Sequence, residues 1–181
     1  MDNKFNAYNL KLSMGLGNPG HEYEHTYHNV GYGVIEYLTQ KRRKKRLPNT
    51  HFSYTKRGGL ILIKPLTFMN EAGRAAQEAV RVFKTKTEEI VVIHDDSDIE
   101  FGTYKLQFGR GSAGHRGVAS IIKTLGTSSF WRIRIGIRKK SDKTKKRIKA
   151  SELVLANIVK DDAAILTKVF KETEKILFPQ K

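Results

Sequence analysis

The chain has 181 residues, 39% of them hydrophobic, with 34 Lys plus Arg against 18 Asp plus Glu for a net charge of +16. No stretch approaches the roughly 20 apolar residues of a membrane span, no signal peptide is expected, and a single domain with its own core is the default at this length. Cysteine is absent, which excludes disulfides, thiolate metal sites and cysteine nucleophiles and fits a reducing cytoplasm.

Leu10 to Leu16 reads as a first strand. The spacing of Val30, Val34, Ile35 and Leu38 predicts a helix over Val30 to Thr39. His51 to Lys56 and Leu60 to Lys64 read as a hairpin about Gly58-Gly59. Asn70 is expected to cap the alanine-rich helix that follows it. Ile90 to Ile93 is a continuous apolar run, typical of a strand buried on both faces, and it is expected to end in His94-Asp95-Asp96. Thr103 to Phe108 and Trp131 to Ile137 read as strands, Gly117 to Leu125 as a helix, and Lys160 to Leu177 as a long amphipathic helix. Strands alternating with helices predict an α/β domain with a largely parallel sheet. Ligands in such folds sit beyond the carboxyl ends of the strands, where Asn18, Asp95 and the loop around His115 are expected.

The charge of +16 attracts polyanions, nucleic acid foremost and an anionic membrane surface second. It is concentrated in two runs. Lys41 to Arg46 is six consecutive basic residues, and Arg138 to Lys149 holds eight basic residues and one acid. Such runs are solvated loops or helix ends that often contact phosphates.

The stretch Gly15 to Gly31 carries the chemistry. Gly15-Leu16-Gly17-Asn18-Pro19-Gly20 matches a dinucleotide fingerprint, with Glu36 where a ribose acid would stand. That site needs a helix beginning within the glycines, whereas Pro19-Gly20 favours a turn, so no dinucleotide cofactor is expected. His21, His25 and His28 have zinc-like spacing, but the first two fall in an exposed loop and no metal is expected. His28 adjoins the apolar helix face, so packing would fix it. Asp95 could accept a hydrogen bond from its imidazole, and Asn18 and Asn70 could hold a carbonyl or a water. No Gly-x-Ser-x-Gly elbow is present. A His-Asp pair without a side-chain nucleophile points to direct attack by water, with histidine as general base.

These residues resemble the bacterial-type peptidyl-tRNA hydrolases. The matching stretches are Gly15 to Gly20 with Tyr23 and His28-Asn29-Val30-Gly31, Lys64 to Asn70, His94-Asp95-Asp96 with Asp98, Gly111 to His115 with Gly117, and Arg132 to Ile137. They occur in the family's order and span most of the chain. The resemblance implies a monomeric domain over residues 1–181, a twisted mixed sheet flanked by helices, working in the cytoplasm without cofactor or membrane. It implies hydrolysis of the ester between a nascent peptide and the 3′-terminal ribose of tRNA. By position, His28 would be the base and Asp95 would orient it. Asn18, Tyr23, Phe68, Met69, Asn70, His115 and Arg116 would bind substrate, and Lys105 and Arg134 would bind tRNA phosphate.

Three departures stand out. Arg116 replaces the family's usual asparagine after His115, and could grip a phosphate or pair with Asp95. Gln107 replaces a second basic residue. Arg138-Lys139-Lys140 replaces Gly-Arg-Pro, and the basic run it opens is expected to offset the charge lost at Gln107. Arg116 also opens a second reading, an RNA-binding homologue without turnover.

Overall fold

The computed structural model describes residues 4–40, 42–139 and 148–180; most of the basic run 138–149 therefore lies outside the described residues. The first strand, β1 (Leu12–Gly15), leads through a glycine-rich turn and two short 3₁₀ turns into helix α1 (Val30–Thr39). A two-residue strand β2 (Lys45–Arg46) precedes the hairpin of β3 (Phe52–Arg57) and β4 (Leu60–Pro65). Helix α2 (Ala72–Phe83), β5 (Ile90–Glu100) and β6 (Tyr104–Phe108) follow. Helix α3 (Arg116–Leu125), β7 (Trp131–Arg138), α4 (Ala150–Leu155) and α5 (Lys160–Leu177) complete the chain.

The seven strands form one sheet in the order β2-β3-β4-β1-β5-β7-β6. The β4-β1-β5-β7 pairs are parallel, while β2, β3 and β6 add antiparallel edges. The sheet is thus mixed, as expected. Apolar residues cover both faces. Met14, Ile63 and Val92 pack with α2 and α3, whereas Leu62, Val91 and Ile133 pack with α1 and α5. Burying each such side chain contributes about 1.5–3 kcal/mol, which is what holds the helices against the sheet.

Two expectations are corrected. Asn70 does not cap α2. It lies in a 3₁₀ turn, Met69–Glu71, and the capping position falls to Glu71, with no side-chain cap bond from either. The 3₁₀ turn uses up the residue that would have capped an ordinary helix start, and Asn70 is left exposed. Nor does the strand end with His94-Asp95-Asp96. β5 runs on to Glu100 because β7 keeps pairing with it past Asp96–Gly136, through a register shift, to Glu100 opposite Arg138. On its other side, β1 stops at Gly15 opposite Ile93. Beyond that point β5 has one flank open. The chain leaves β1 toward β4 on one side, then crosses to β5 on the other, so this gap is the switch point of the sheet, where α/β folds place ligands.

Candidate active site

Glycine sets the depth of this gap. A Cβ on Gly31 would meet the Ile93 carbonyl oxygen and come within 2.5 Å of the Leu16 backbone nitrogen. A Cβ on Gly15 would strike the Gly31 carbonyl. The glycines of this segment therefore let α1 press onto the ends of β1 and β5, rather than cradle a phosphate. The same approach carries the 3₁₀ turn Tyr27–Asn29, and with it His28, against β5.

His28 Nδ1 lies 2.9 Å from Asp95 Oδ1. An ionised carboxylate only accepts, so Nδ1 carries the proton and Nε2 is the basic nitrogen left for the cleft. Asp95 is 2% exposed and has a second imidazole partner, His115 Nε2, also 2.9 Å from Oδ1. The other nitrogen of His115, Nδ1, accepts the Val118 backbone N–H at 3.3 Å and so caps α3. His115 is thus the neutral tautomer protonated on Nε2. Burial pushes the Asp95 carboxyl up, but the His115 and His28 donors outweigh it and hold the group well below the ordinary carboxylate range. His28, Asp95 and His115 bring their donor atoms within 4.8 Å of one another. Both nitrogens that face the carboxylate are N–H donors, so hydrogen bonds satisfy the cluster without an ion.

The two neighbours of His28 are anchored in opposite directions. Asn29 embraces the main chain of Asn18: its Oδ1 accepts the Asn18 N–H at 2.7 Å and its Nδ2 donates to the Asn18 carbonyl at 3.0 Å. Tyr27 donates its hydroxyl to the buried Asp162 on α5, and Lys139 Nζ pairs with the same carboxylate at 2.7 Å. Below the histidine, Thr26 bridges to Asn157 and the Tyr27 N–H donates to the Ala156 carbonyl. Asn18 Oδ1 in turn accepts the Met69 N–H at 2.8 Å. That bond ties the glycine turn to the loop before α2 and leaves Asn18 Nδ2 a donor without a partner among the described residues.

All nine residues expected at the catalytic centre or on the substrate line one cleft of about 670 Å³: Asn18, Tyr23, His28, Phe68, Met69, Asn70, Asp95, His115 and Arg116. Tyr23 and Phe68 meet edge to face at 6.3 Å, and Phe68 is 49% exposed. Met69 is buried and presents little more than one edge. Asn70 is exposed, with its amide unpaired among the described residues. Across the cleft stand Val154 and Leu155 of α4. Sequence reasoning missed this helix, since none of its six residues is buried and it carries no apolar periodicity. It also missed Asn29 and Asp162, whose partners lie 11 and 135 residues away. The His-Asn pair within the matched motif was the one signal for Asn29.

Arg116 is exposed at the start of α3. It does not pair with Asp95, whose Oδ1 already receives His28 and His115. Lys105 and Arg134 lie outside the cleft, facing each other across β6 and β7. Lys105 is exposed, whereas Arg134 is half-buried and engaged by internal partners. Its Nε and Nη2 reach Asp96 Oδ2 at 2.8 and 2.7 Å, and its Nη1 donates to Gln107 Oε1 at 2.7 Å. Gln107 is therefore a partner of Arg134 rather than a gap in the basic surface. Arg132 is fully buried and donates to the carbonyls of Gly111 and Gly109 at 3.0 and 2.8 Å. It fixes the loop that leads into His115. His94, also buried, donates Nδ1 to the Asp95 carbonyl at 2.7 Å and packs on His115 with ring centroids 4.5 Å apart. Burial pushes its pKa well below the ordinary imidazole range, so it stays neutral.

Comparison with known proteins gives the family. The family described as peptidyl-tRNA hydrolase matches residues 12–178. The peptidyl-tRNA hydrolase of Aquifex aeolicus is 38% identical over 173 residues, covering 93% of this chain and 88% of its own. That of Geobacter metallireducens is 41% identical over 152 residues, covering 81% and 76%. The crystal structure of peptidyl-tRNA hydrolase from Acinetobacter baumannii superposes with a TM-score of 0.79 at 27% identity, covering 96% of this chain and 91% of that one. By sequence and by fold, the chain belongs to the peptidyl-tRNA hydrolase family.

Proposed function

We propose that this protein hydrolyses the ester between a peptide and the 3′-terminal ribose of tRNA, through a water that His28 deprotonates. One observation carries the reading: His28 Nδ1 donates to a buried carboxylate at 2.9 Å, which in the neutral imidazole makes Nε2 the basic nitrogen at the edge of a cleft. The water oxygen bonds to the ester carbon while its proton passes to Nε2. Asp95 stabilises the imidazolium that forms and keeps the ring oriented. Asn18 Nδ2, its side chain fixed from behind by the Met69 contact, would donate to the developing oxyanion. Collapse of the tetrahedral intermediate breaks the carbon–ribose oxygen bond, and His28 returns the proton to that oxygen. The products are a peptide acid and tRNA with a free hydroxyl.

An activated ester needs no side-chain nucleophile, which agrees with the absence of cysteine and of a serine elbow. His115, which lines the cleft where a substrate contact is expected of it, also acts through Asp95 as a positioning residue. Tyr23, Phe68 and the rim of Met69 offer an apolar wall to the peptide, and Asn70 an amide to its main chain. Lys105 and Arg116 would meet RNA phosphate with unneutralised charge. Arg134 has spent three of its five donors internally and would offer the remaining two from a fixed fork. The non-hydrolytic reading is disfavoured by the assembled His28–Asp95 pair and its free Nε2.

The test is turnover of an N-acetylated aminoacyl-tRNA, with the unblocked aminoacyl-tRNA as control. Cleavage of the blocked substrate, lost in His28→Ala, is the expected result. Binding of tRNA without cleavage by the unaltered protein would overturn it.

A further inference from the structure

The basic run that precedes the β3-β4 hairpin has no part in the mechanism above. Arg42, Arg43, Lys44, Lys45 and Arg46 are all exposed. Among the described residues only Lys44 meets a carboxylate, and it shares Glu36 with Lys64, whose Nζ is 2.8 Å from Oε1. Six cations thus face one acid. No large exposed apolar residue accompanies them, as binding at a membrane surface would require.

Their place in the sheet is specific. One row of paired residues crosses all seven strands: Lys45, Tyr54, Ile63, Met14, Val92, Arg132 and Gln107. Six spacings of about 4.8 Å put the ends of this row about 29 Å apart. β2 runs in the same direction as β4, β1 and β5, so Arg46, Lys64 and Asp95 lie toward the same carboxyl edge. The next row pairs Arg46 with Ser53 and Ser53 with Lys64. Alternation along the strands puts Arg46 and Lys64 on the face of the sheet that carries α1, where Asp95 also points. Lys105 and Arg134 occupy the other face, at the other end. A cavity of about 660 Å³, bounded by Asn18, Tyr32, Glu36, Lys44 and Lys64, continues from the catalytic cleft toward the run, with Asn18 lining both.

We propose that Arg42 to Arg46, with Lys64, form a second phosphate-binding surface for the RNA of the substrate, flanking the catalytic centre on the side away from Lys105 and Arg116. The inference rests on the tRNA-ester reading of the site. With cations at both ends of the carboxyl edge, RNA is held across the centre rather than at one margin. Affinity then depends on both surfaces, while the chemical step depends on neither.

The test is the triple variant Arg42→Gln, Arg43→Gln, Lys45→Gln, whose side chains have no hydrogen-bond or ion-pair partner among the described residues. Binding of deacylated tRNA is measured across a salt series, alongside hydrolysis of N-acetyl-aminoacyl-tRNA and of a minimal N-acetyl-aminoacyl ester of adenosine. The expected result is a Kd for tRNA raised about tenfold or more, with a log Kd against log salt slope smaller by about 2. KM for the full substrate rises in parallel, and turnover of the minimal ester is unchanged. An unaltered slope and Kd would overturn the proposal, as would an equal loss on the minimal ester, which would mean that the run acts through the catalytic site. Failure of the unaltered protein to cleave either ester would instead count against the reading of the site itself.

Discussion

The Tyr27 hydroxyl donates to Asp162, a buried carboxylate 135 residues further along the chain. Tyr27 immediately precedes the proposed base, and Asp162 sits in the first turn of α5, where a helix dipole favours negative charge. Burial and Asp162 together push the Tyr27 phenol up, so it remains a donor at any working pH. Tyr27→Phe removes the hydroxyl and leaves Asp162 with Lys139 as its remaining side-chain partner among the described residues. Loss of one partner of a buried polar group costs about 1–3 kcal/mol, which denaturant unfolding will register. Because the turn that aims His28 is then held at fewer points, kcat should fall several-fold with little change in KM. Unchanged stability and unchanged kcat would show that the contact is idle.

His28→Ala should abolish the general base while sparing the fold, since His28 contributes only one hydrogen bond to a carboxylate that keeps His115. The expected loss in kcat is about 10²–10⁴, with the unfolding midpoint little altered. A variant that retained full turnover would remove His28 from the mechanism.

Asp95→Asn keeps an acceptor oxygen for both imidazoles but removes the charge that stabilises a protonated His28. A fall in kcat of about 10²–10⁴ is expected, with near-native near-UV circular dichroism. The variant also tests linkage. The folded-state pKa of Asp95 is depressed below its unfolded value, which is about 3.9. The carboxylate therefore contributes stability that is fully present above that unfolded value and is lost as pH falls through the folded one. The stability gap between the natural protein and Asp95→Asn should be flat from about pH 5 upward and should narrow below about pH 4. A gap that widened under acid would show that the pair has the opposite sign.

Sequence was most informative where a periodic apolar pattern met a clear punctuation mark. The extents of α1 and α5 were both readable, because Val30, Val34, Ile35 and Leu38, and then Leu166, Val169 and Leu177, repeat at helical spacing onto one buried face. The cast of the cleft was readable from the matched motifs. Its wiring was not. That His115 turns back 20 residues to Asp95, or that Gln107 occupies Arg134 instead of leaving it bare, depends on strand register and on a buried Arg132 that shapes the intervening loop. Neither follows from spacing along the chain. Asn70 misled for a related reason. A residue type that caps helices was placed one 3₁₀ turn early, where its amide is free for a ligand.

Asn18→Asp separates the two jobs of Asn18. Its Oδ1 holds the Met69 N–H, and a carboxylate oxygen can keep that bond. Its Nδ2 is the donor proposed for the oxyanion, and the substitution replaces it with a second acceptor carrying negative charge. If Asn18 served only to tie the glycine turn to the loop before α2, the variant would fold and turn over normally. If Nδ2 meets the reacting carbonyl, kcat/KM should drop by about 10²–10³, the scale of losing one oxyanion donor, while binding of deacylated tRNA is retained. Asn18→Ala completes the comparison. It lacks the negative charge but also lacks the Met69 tie, so it should lose stability that Asn18→Asp keeps and yet hydrolyse the ester faster than Asn18→Asp does. The opposite ranking in rate would assign Asn18 to the scaffold and leave the oxyanion to Asn70.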